Sequence, residues 1–252
     1  MILGNSEKFK GKGHVCFIDV LGFSNDILDR WHALESNPLE KILSIKNRMP
    51  IFRDVDKDTG GSSHRQYVCR VQTISDSVTI CFGYGHKIIV GDLVLGLEAL
   101  LANLSYIWST FIGEGYTIRG AIDFGDIYWD KNELIGPAFI NAYRLESDVA
   151  KNSRVVLSSG LNRELRNLFD NHESGLTEHL RRNFRRDVDG YIVFDPNVMY
   201  RSDEERRFLI RELSSMKTKV ESKVVKEKYT QVLSMLSDGV TEDLKAADFG
   251  NY

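Results

Sequence analysis

The chain predicts an α+β fold with a ferredoxin-like or palm-type core, an antiparallel-centred sheet carrying helices on one face. Three observations predict it. His14 to Val20 is a β-branched, apolar run that stops at Gly22, the pattern of a buried first strand. Gln66 to Phe82 reads as two strands with a tight turn near Ile74-Ser75-Asp76. Around these lie segments with helical apolar spacing, so the order is strand, helices, hairpin, helix, strand, helix, strand.

Each element has a local reason. Ser24 follows Gly22, and its hydroxyl suits the free amides of a first helical turn, which predicts a capped helix there. Leu39, Ile42, Leu43, Ile45 and Met49 recur at helical spacing and predict a second helix over Leu39–Phe52. Asp54 to His64, rich in Asp, Gly and Ser, reads as a loop. Ile88 to Ile112 is the longest apolar stretch; Asp92 and Glu98 interrupt it, so it predicts a core helix rather than a membrane span. Tyr116 to Ile127 is a strand, Trp129-Asp130-Lys131-Asn132 a turn, and Gly136-Pro137 opens a helix running to Ala150. Arg154 to Leu157 is a short strand. Beyond residue 158, Leu161 to Phe184 reads as helical, Gly190 to Phe194 as a strand, Ser202 to Leu236 as one charged helix, and the tail from Asp238 as polar and loose. Two regions of one domain follow: a core over 1–158, and a strand with helices over 159–252 packed on it.

The whole-chain numbers narrow the classes. With 252 residues, 42% hydrophobic and 27% charged, the chain can bury a core of ordinary globular composition. A net charge of −3 gives no global reason for a nucleic-acid or membrane partner. Cys16, Cys69 and Cys81 form an odd set without CxxC spacing, which suits buried thiols in a reducing compartment better than disulfides. Met1 to Gly13 lacks the apolar core of a signal peptide, so a cytoplasmic protein is expected.

Asp19 and Asp76 carry the chemistry. Alone, the first reads as a turn-capping aspartate and the second as an ordinary hairpin-turn residue. In a palm-type sheet, however, the end of the first strand and the central hairpin tip lie side by side, so the two carboxylates converge. Like charges that close repel unless a cation sits between them, and hard oxygen donors select Mg²⁺ or Mn²⁺. The turn Leu21-Gly22-Phe23-Ser24 presents backbone amides at a helix start, an anion cradle beside the carboxylates.

These residues carry a resemblance. Asp19 within FIDVLGFS is similar to the FxDIxGFT segment of class III nucleotidyl cyclases, and VQTISDS resembles their VKTIGD hairpin. RGAIDFG followed by GPAFINAYRLES resembles their RIGIHxG strand and GxxVNxAxRL helix. The match runs over residues 14 to 158 with order and spacing kept. The wording SDS, RGAI, GPA and YRLES is nearer to the bacterial pyrimidine cyclases of Pycsar anti-phage systems. What the resemblance implies is a homodimer with shared active sites that makes cyclic UMP or cyclic CMP from UTP or CTP. It would use two Mn²⁺ or Mg²⁺ ions per site, and its product would activate a separate effector protein. Asp19 and Asp76 match the metal-binding aspartates, Val20 the residue lending its carbonyl, and Arg144 the arginine reaching the triphosphate from the partner subunit. Gly22, Phe23 and Ser24 fall on the phosphate turn. Gln72 stands at the base-reading lysine of VKTIGD and Glu133 at the companion acidic position. Gln72 both donates and accepts, so it does not choose between uracil and cytosine. Ile140 stands where many of these enzymes have a transition-state asparagine, and Asn141 lies one helical step round.

Other residues stay open. Arg119 and Arg70 read as solvated strand arginines or as contacts to phosphate or base. Strand alternation puts Arg70 on the face of Gln72 and favours it for the pocket. The six histidines show no HExxH-like spacing. The basic run from Leu180 to Arg186 reads as a solvated helix face before a nucleic-acid patch. The apolar residues of Ser202–Leu236 predict packing on the chain's own core, with a dimer interface as the alternative.

Overall fold

The computed structural model describes residues 8–32, 37–48, 67–85, 88–238 and 244–250. The expected loop Asp54–His64 and the end of the second helix after Arg48 lie outside them.

Strand β1 (Phe9–Leu21) can sit at the centre of a sheet because its side chains are apolar on both faces. Cys16, Ile18 and Val20 enter the larger core, while Val15 and Phe17 enter a smaller one on the opposite face. It pairs antiparallel with β3 (Ser77–Tyr84) on one side and β4 (Thr117–Trp129) on the other, and β2 (Tyr67–Ile74) pairs with β3. The resulting order, β2-β3-β1-β4, is that of the split β-α-β ferredoxin-like core. The fold is α+β. A two-residue strand β5 (Leu134–Ile135) folds back on the end of β4. Beyond β4 the sheet continues through parallel β6 (Val155–Leu157), then β8 (Ile192–Phe194) and β7 (Phe184–Arg186), both antiparallel.

Helices α1 (Phe23–Arg30), α2 (Pro38–Arg48) and α3 (Val90–Gly113) border the larger core. By length and composition α3 could span a bilayer, but Val94, Leu97, Leu101, Leu104 and Trp108 pack it against the sheet. The Trp108 indole N–H, with no water to bond, donates to Thr117 Oγ1 at 3.0 Å.

The helices do not all lie on one face, as the order of elements predicted. Helix α4 (Pro137–Asp148) covers the other face, with Ala138 and Ala142 seated on Val15, Phe17 and Cys81. Those strand residues would otherwise leave apolar surface in water, and two alanines let the helix approach closely. Gly136 opens α4 at φ 152°, where a Cβ would sit 2.5 Å from the Asp126 carbonyl oxygen.

The C-terminal part differs from expectation in three ways. Leu161–Phe184 is not one helix: α5 (Ser159–Asn171) and α6 (Gly175–Arg181) are separate, capped by Ser158 and Ser174, and Phe184 begins β7. The basic run is therefore shared between a helix end and an edge strand. Ser202–Leu236 is likewise two packed helices, α7 (Asp203–Lys219) and α8 (Lys223–Asp238). The chain turns extended at Val220 (φ −89°, ψ 134°), a β-branched residue that loses little by leaving the helix. The tail is not loose where it is described: Phe249 is fully buried, its ring 5.0 Å from Phe169 and 6.0 Å from Phe184.

Candidate functional site

Asp19 occupies the position where the α4 face of β1 changes character. Val15 and Phe17 are buried beneath α4; the next residue on that face is Asp19, paired in register with Ser77 of β3 and Arg119 of β4. Asp76 precedes Ser77 at the tip of the β2–β3 hairpin, whose other turn residue, Ser75, has a positive φ of 52°. The hairpin register thus brings Asp76 beside Asp19 from a distant part of the sequence. Burial raises the Asp19 pKa, and the negative charge of Asp76 adds a smaller push in the same direction.

The β1–α1 turn completes this end of the sheet. Gly22 takes φ 86°, which an L side chain disfavours, and α1 starts at Phe23. Ser24 is therefore inside the helix and does not cap it. Its hydroxyl instead donates to Asp76 Oδ2 at 3.2 Å. The first amides of α1 have no intrahelical acceptor by position and stand at this end of the sheet.

Three cations flank the carboxylates. Arg119 donates from Nε to Asp19 Oδ2 at 3.0 Å, and that Nε also lies 2.6 Å from Oε1 of Glu146. Glu146, in α4, is 2% exposed and also accepts from Ser147 Oγ at 3.1 Å. Burial pushes the Asp19 carboxyl up, the Arg119 hydrogen bond and charge oppose that, and Lys228 of α8 adds a smaller opposing effect. Burial likewise raises Glu146, against Arg119. Lys46 of α2 donates from Nζ to the Ser75 carbonyl at 2.5 Å; burial lowers its pKa, and Asp76 works the other way.

This donor set fits a hard divalent cation. Two neighbouring carboxylates, one at a strand end and one in a hairpin turn, with Val20 next in the chain, match an ion that takes one or two protein carboxylates and completes its shell with other oxygen ligands. Among the described residues no group of three or more His, Cys, Asp and Glu side chains forms a metal cluster.

The other expected site residues divide into two places. Arg70 and Gln72 do share the Asp19 face, but Arg70 does not point to the carboxylates. Its guanidinium donates to the Asp130 carbonyl, to the Lys131 carbonyl at 3.4 Å and to Gln72 Oε1 at 3.4 Å. Register explains this: Arg70 is level with Cys81 and Val15, two rows from Asp19, whereas Arg119 is level with Asp19 itself. Glu133 lies exposed in the same β4–β5 turn, its amide bound to Asp130 Oδ1 at 2.9 Å. Gln72, Arg70 and the Glu133 turn thus form a polar cluster apart from the acidic pair. Arg144 is exposed and lines a cleft of about 590 Å³ between α4 and the start of α5, with Asn141 and Arg163. Asn141 is committed to Asp123, donating at 3.1 Å. Ile140 is 46% exposed on α4.

Sequence reasoning missed Glu146, Lys46 and Lys228. Glu146 is inside the YRLES segment, where a carboxylate on the buried side of a helix was the available signal. The two lysines reach the site through tertiary packing alone.

No family model matches the chain, and no curated protein matches it. Solved structures do. The adenylyl cyclase CyaB from P. aeruginosa is 17% identical over 78% of this chain and 98% of that chain, with a TM-score of 0.45. A class III adenylyl cyclase-like ATP-binding protein from Pseudomonas aeruginosa is 14% identical over 64% of this chain and 37% of that chain, at 0.42. The guanylyl cyclase Cya2 is 11% identical over 75% of this chain and 92% of that chain, at 0.39.

Proposed function

We propose that the chain is a nucleotidyl cyclase that converts UTP to 3′,5′-cyclic UMP and pyrophosphate, acting as a homodimer whose product is a second messenger in anti-phage defence. The observation that carries the cyclase reading is the meeting of Asp19 and Asp76 beside the Gly22 turn. The preference for uracil, the dimer and the defence role rest on the motif resemblance; Gln72 leaves CTP as the alternative substrate.

Asp19, Asp76 and the Val20 carbonyl would hold Mn²⁺ or Mg²⁺, which when bound lowers the pKa of the ribose 3′-hydroxyl and offsets charge at the α-phosphate. The chain's own contribution is positioning. The Gly22-Phe23-Ser24 amides receive phosphate oxygens. Arg119, which also meets Glu146, opposes the rise that burial imposes on the Asp19 carboxyl. Arg144, from the partner subunit, would stabilise charge as pyrophosphate leaves. The 3′-hydroxyl gives its proton to water, its oxygen bonds to the α-phosphorus, and the bond from that phosphorus to the α,β-bridging oxygen breaks as pyrophosphate leaves, so no protein nucleophile is needed.

Purified protein with Mn²⁺ and a mixture of ATP, GTP, CTP and UTP, read by mass spectrometry, tests this. Cyclic UMP and pyrophosphate are expected, and Asp19→Ala or Asp76→Ala should abolish both. Wild-type protein that leaves all four triphosphates intact refutes the reading. Ile140 at the asparagine position supports a second one, a silent module that binds nucleotide and signals through its C-terminal helices. Tight binding without pyrophosphate release would favour it.

A further inference from the structure

Helices α7 and α8 lie outside the stretch that resembles a cyclase, yet α8 is fastened to the acidic end of the sheet. The Lys228 carbonyl accepts the Ser153 amide at 3.1 Å. Ser153 is itself tied to β4, its hydroxyl bonded to Thr117 Oγ1 at 2.5 Å and donated to the Ile118 carbonyl at 3.1 Å. Thr117 and Ile118 pair with Leu21 and Val20, the residues just after Asp19. One turn along α8, Gln231 accepts from Asn152 Nδ2 at 2.7 Å, so the helix is held at two points. Val225 and Tyr229 of α8 and Ser222 before it share a cleft of about 440 Å³ with Leu21 and Gly22 of the phosphate turn. The backbone of Lys228 is therefore fixed beside the site.

Of the three cations near the carboxylates, two are already committed. Arg119 is shared between Asp19 and Glu146, and Lys46 holds the Ser75 carbonyl. The half-buried Lys228 acts on Asp19 through its charge, and its ammonium makes no hydrogen bond or ion pair among the described residues. A nucleoside triphosphate brings several negative charges, and an ammonium with free donors is suited to receive them.

We propose that Lys228 is a substrate-binding residue: α8 delivers its ammonium to the triphosphate bound at the Asp19–Asp76 end of the sheet. This rests on the nucleotide reading above. It makes the C-terminal helices part of the site rather than a scaffold beside it.

The test is calorimetric titration of the full chain with 3′-deoxy-UTP, which cannot cyclise, in Mn²⁺, and separately with Mn²⁺ alone. Lys228→Met should weaken triphosphate binding by about tenfold to a hundredfold, the range of one charge-assisted contact. It should leave Mn²⁺ binding equal or tighter, because a positive charge near Asp19 has gone. Lys228→Arg should recover most of the triphosphate affinity. A merely structural lysine would instead lower the melting temperature and weaken both titrations together, which overturns the proposal. So does unchanged triphosphate affinity in Lys228→Met while the wild type binds. A wild type that binds no triphosphate removes the nucleotide reading itself.

Discussion

The two faces of one sheet behave differently. On the face under α3, Cys16, Ile18 and Val20 join a continuous apolar core. On the face under α4 the same strand is apolar only through Phe17, then offers Asp19 to Arg119, which also meets Glu146, and to the hairpin. Apolar burial therefore concentrates on the first face and charge at the end of the second, where charges are balanced by neighbours instead of being excluded. That contrast says which substitutions should unfold the chain and which should only retune it.

Trp108→Ala probes the dry face most severely. It empties a fully buried ring site and removes the indole bond to Thr117, and should cost about 3–5 kcal/mol in urea unfolding. A loss below about 1 kcal/mol would mean that this face is not the stability core. Glu146→Gln probes the polar face. Arg119 loses one of its two carboxylates and settles on Asp19, so Mn²⁺ binding should weaken while stability falls by only about 1–3 kcal/mol. Unaltered Mn²⁺ affinity would break the link between Glu146 and Asp19.

The dry face also holds a histidine. His14 is buried against Tyr84, its Nδ1 2.5 Å from the phenol oxygen, and burial pulls its pKa down to about 3 from 6.5. The folded chain keeps this ring neutral, whereas the unfolded chain protonates it below 6.5. Its contribution is thus complete above that value and lost as pH falls from 6.5 towards 3, by about 1.4 kcal/mol per pH unit. Urea unfolding at about pH 7 and about pH 5 measures the slope, and His14→Gln should flatten it.

Much of this was legible in the sequence, for reasons the structure makes plain. The first strand and the hairpin are marked by period, by Gly22 and by a two-residue turn, and those signals are local. What was not legible depends on position across strands. Alternation assigns Arg70 and Arg119 to one face and cannot say which is level with Asp19; register decides that in favour of Arg119. The break at Val220 carries no glycine or proline, so two helices read as one. β7 is three residues long and follows a helix directly, too short for a period. Lys46 and Lys228 are ordinary helix lysines until tertiary packing brings them to the acidic pair.

The left-handed turn at Ser75 has a consequence for anyone wishing to make the protein sturdier. Glycine there would relieve a conformation that costs an L-residue about 1 kcal/mol, and a stability screen would select it. The same exchange would widen the angular spread of the neighbouring carboxylate, whose aim depends on a stiff corner. Hardening the fold at that corner would blunt the tool it carries.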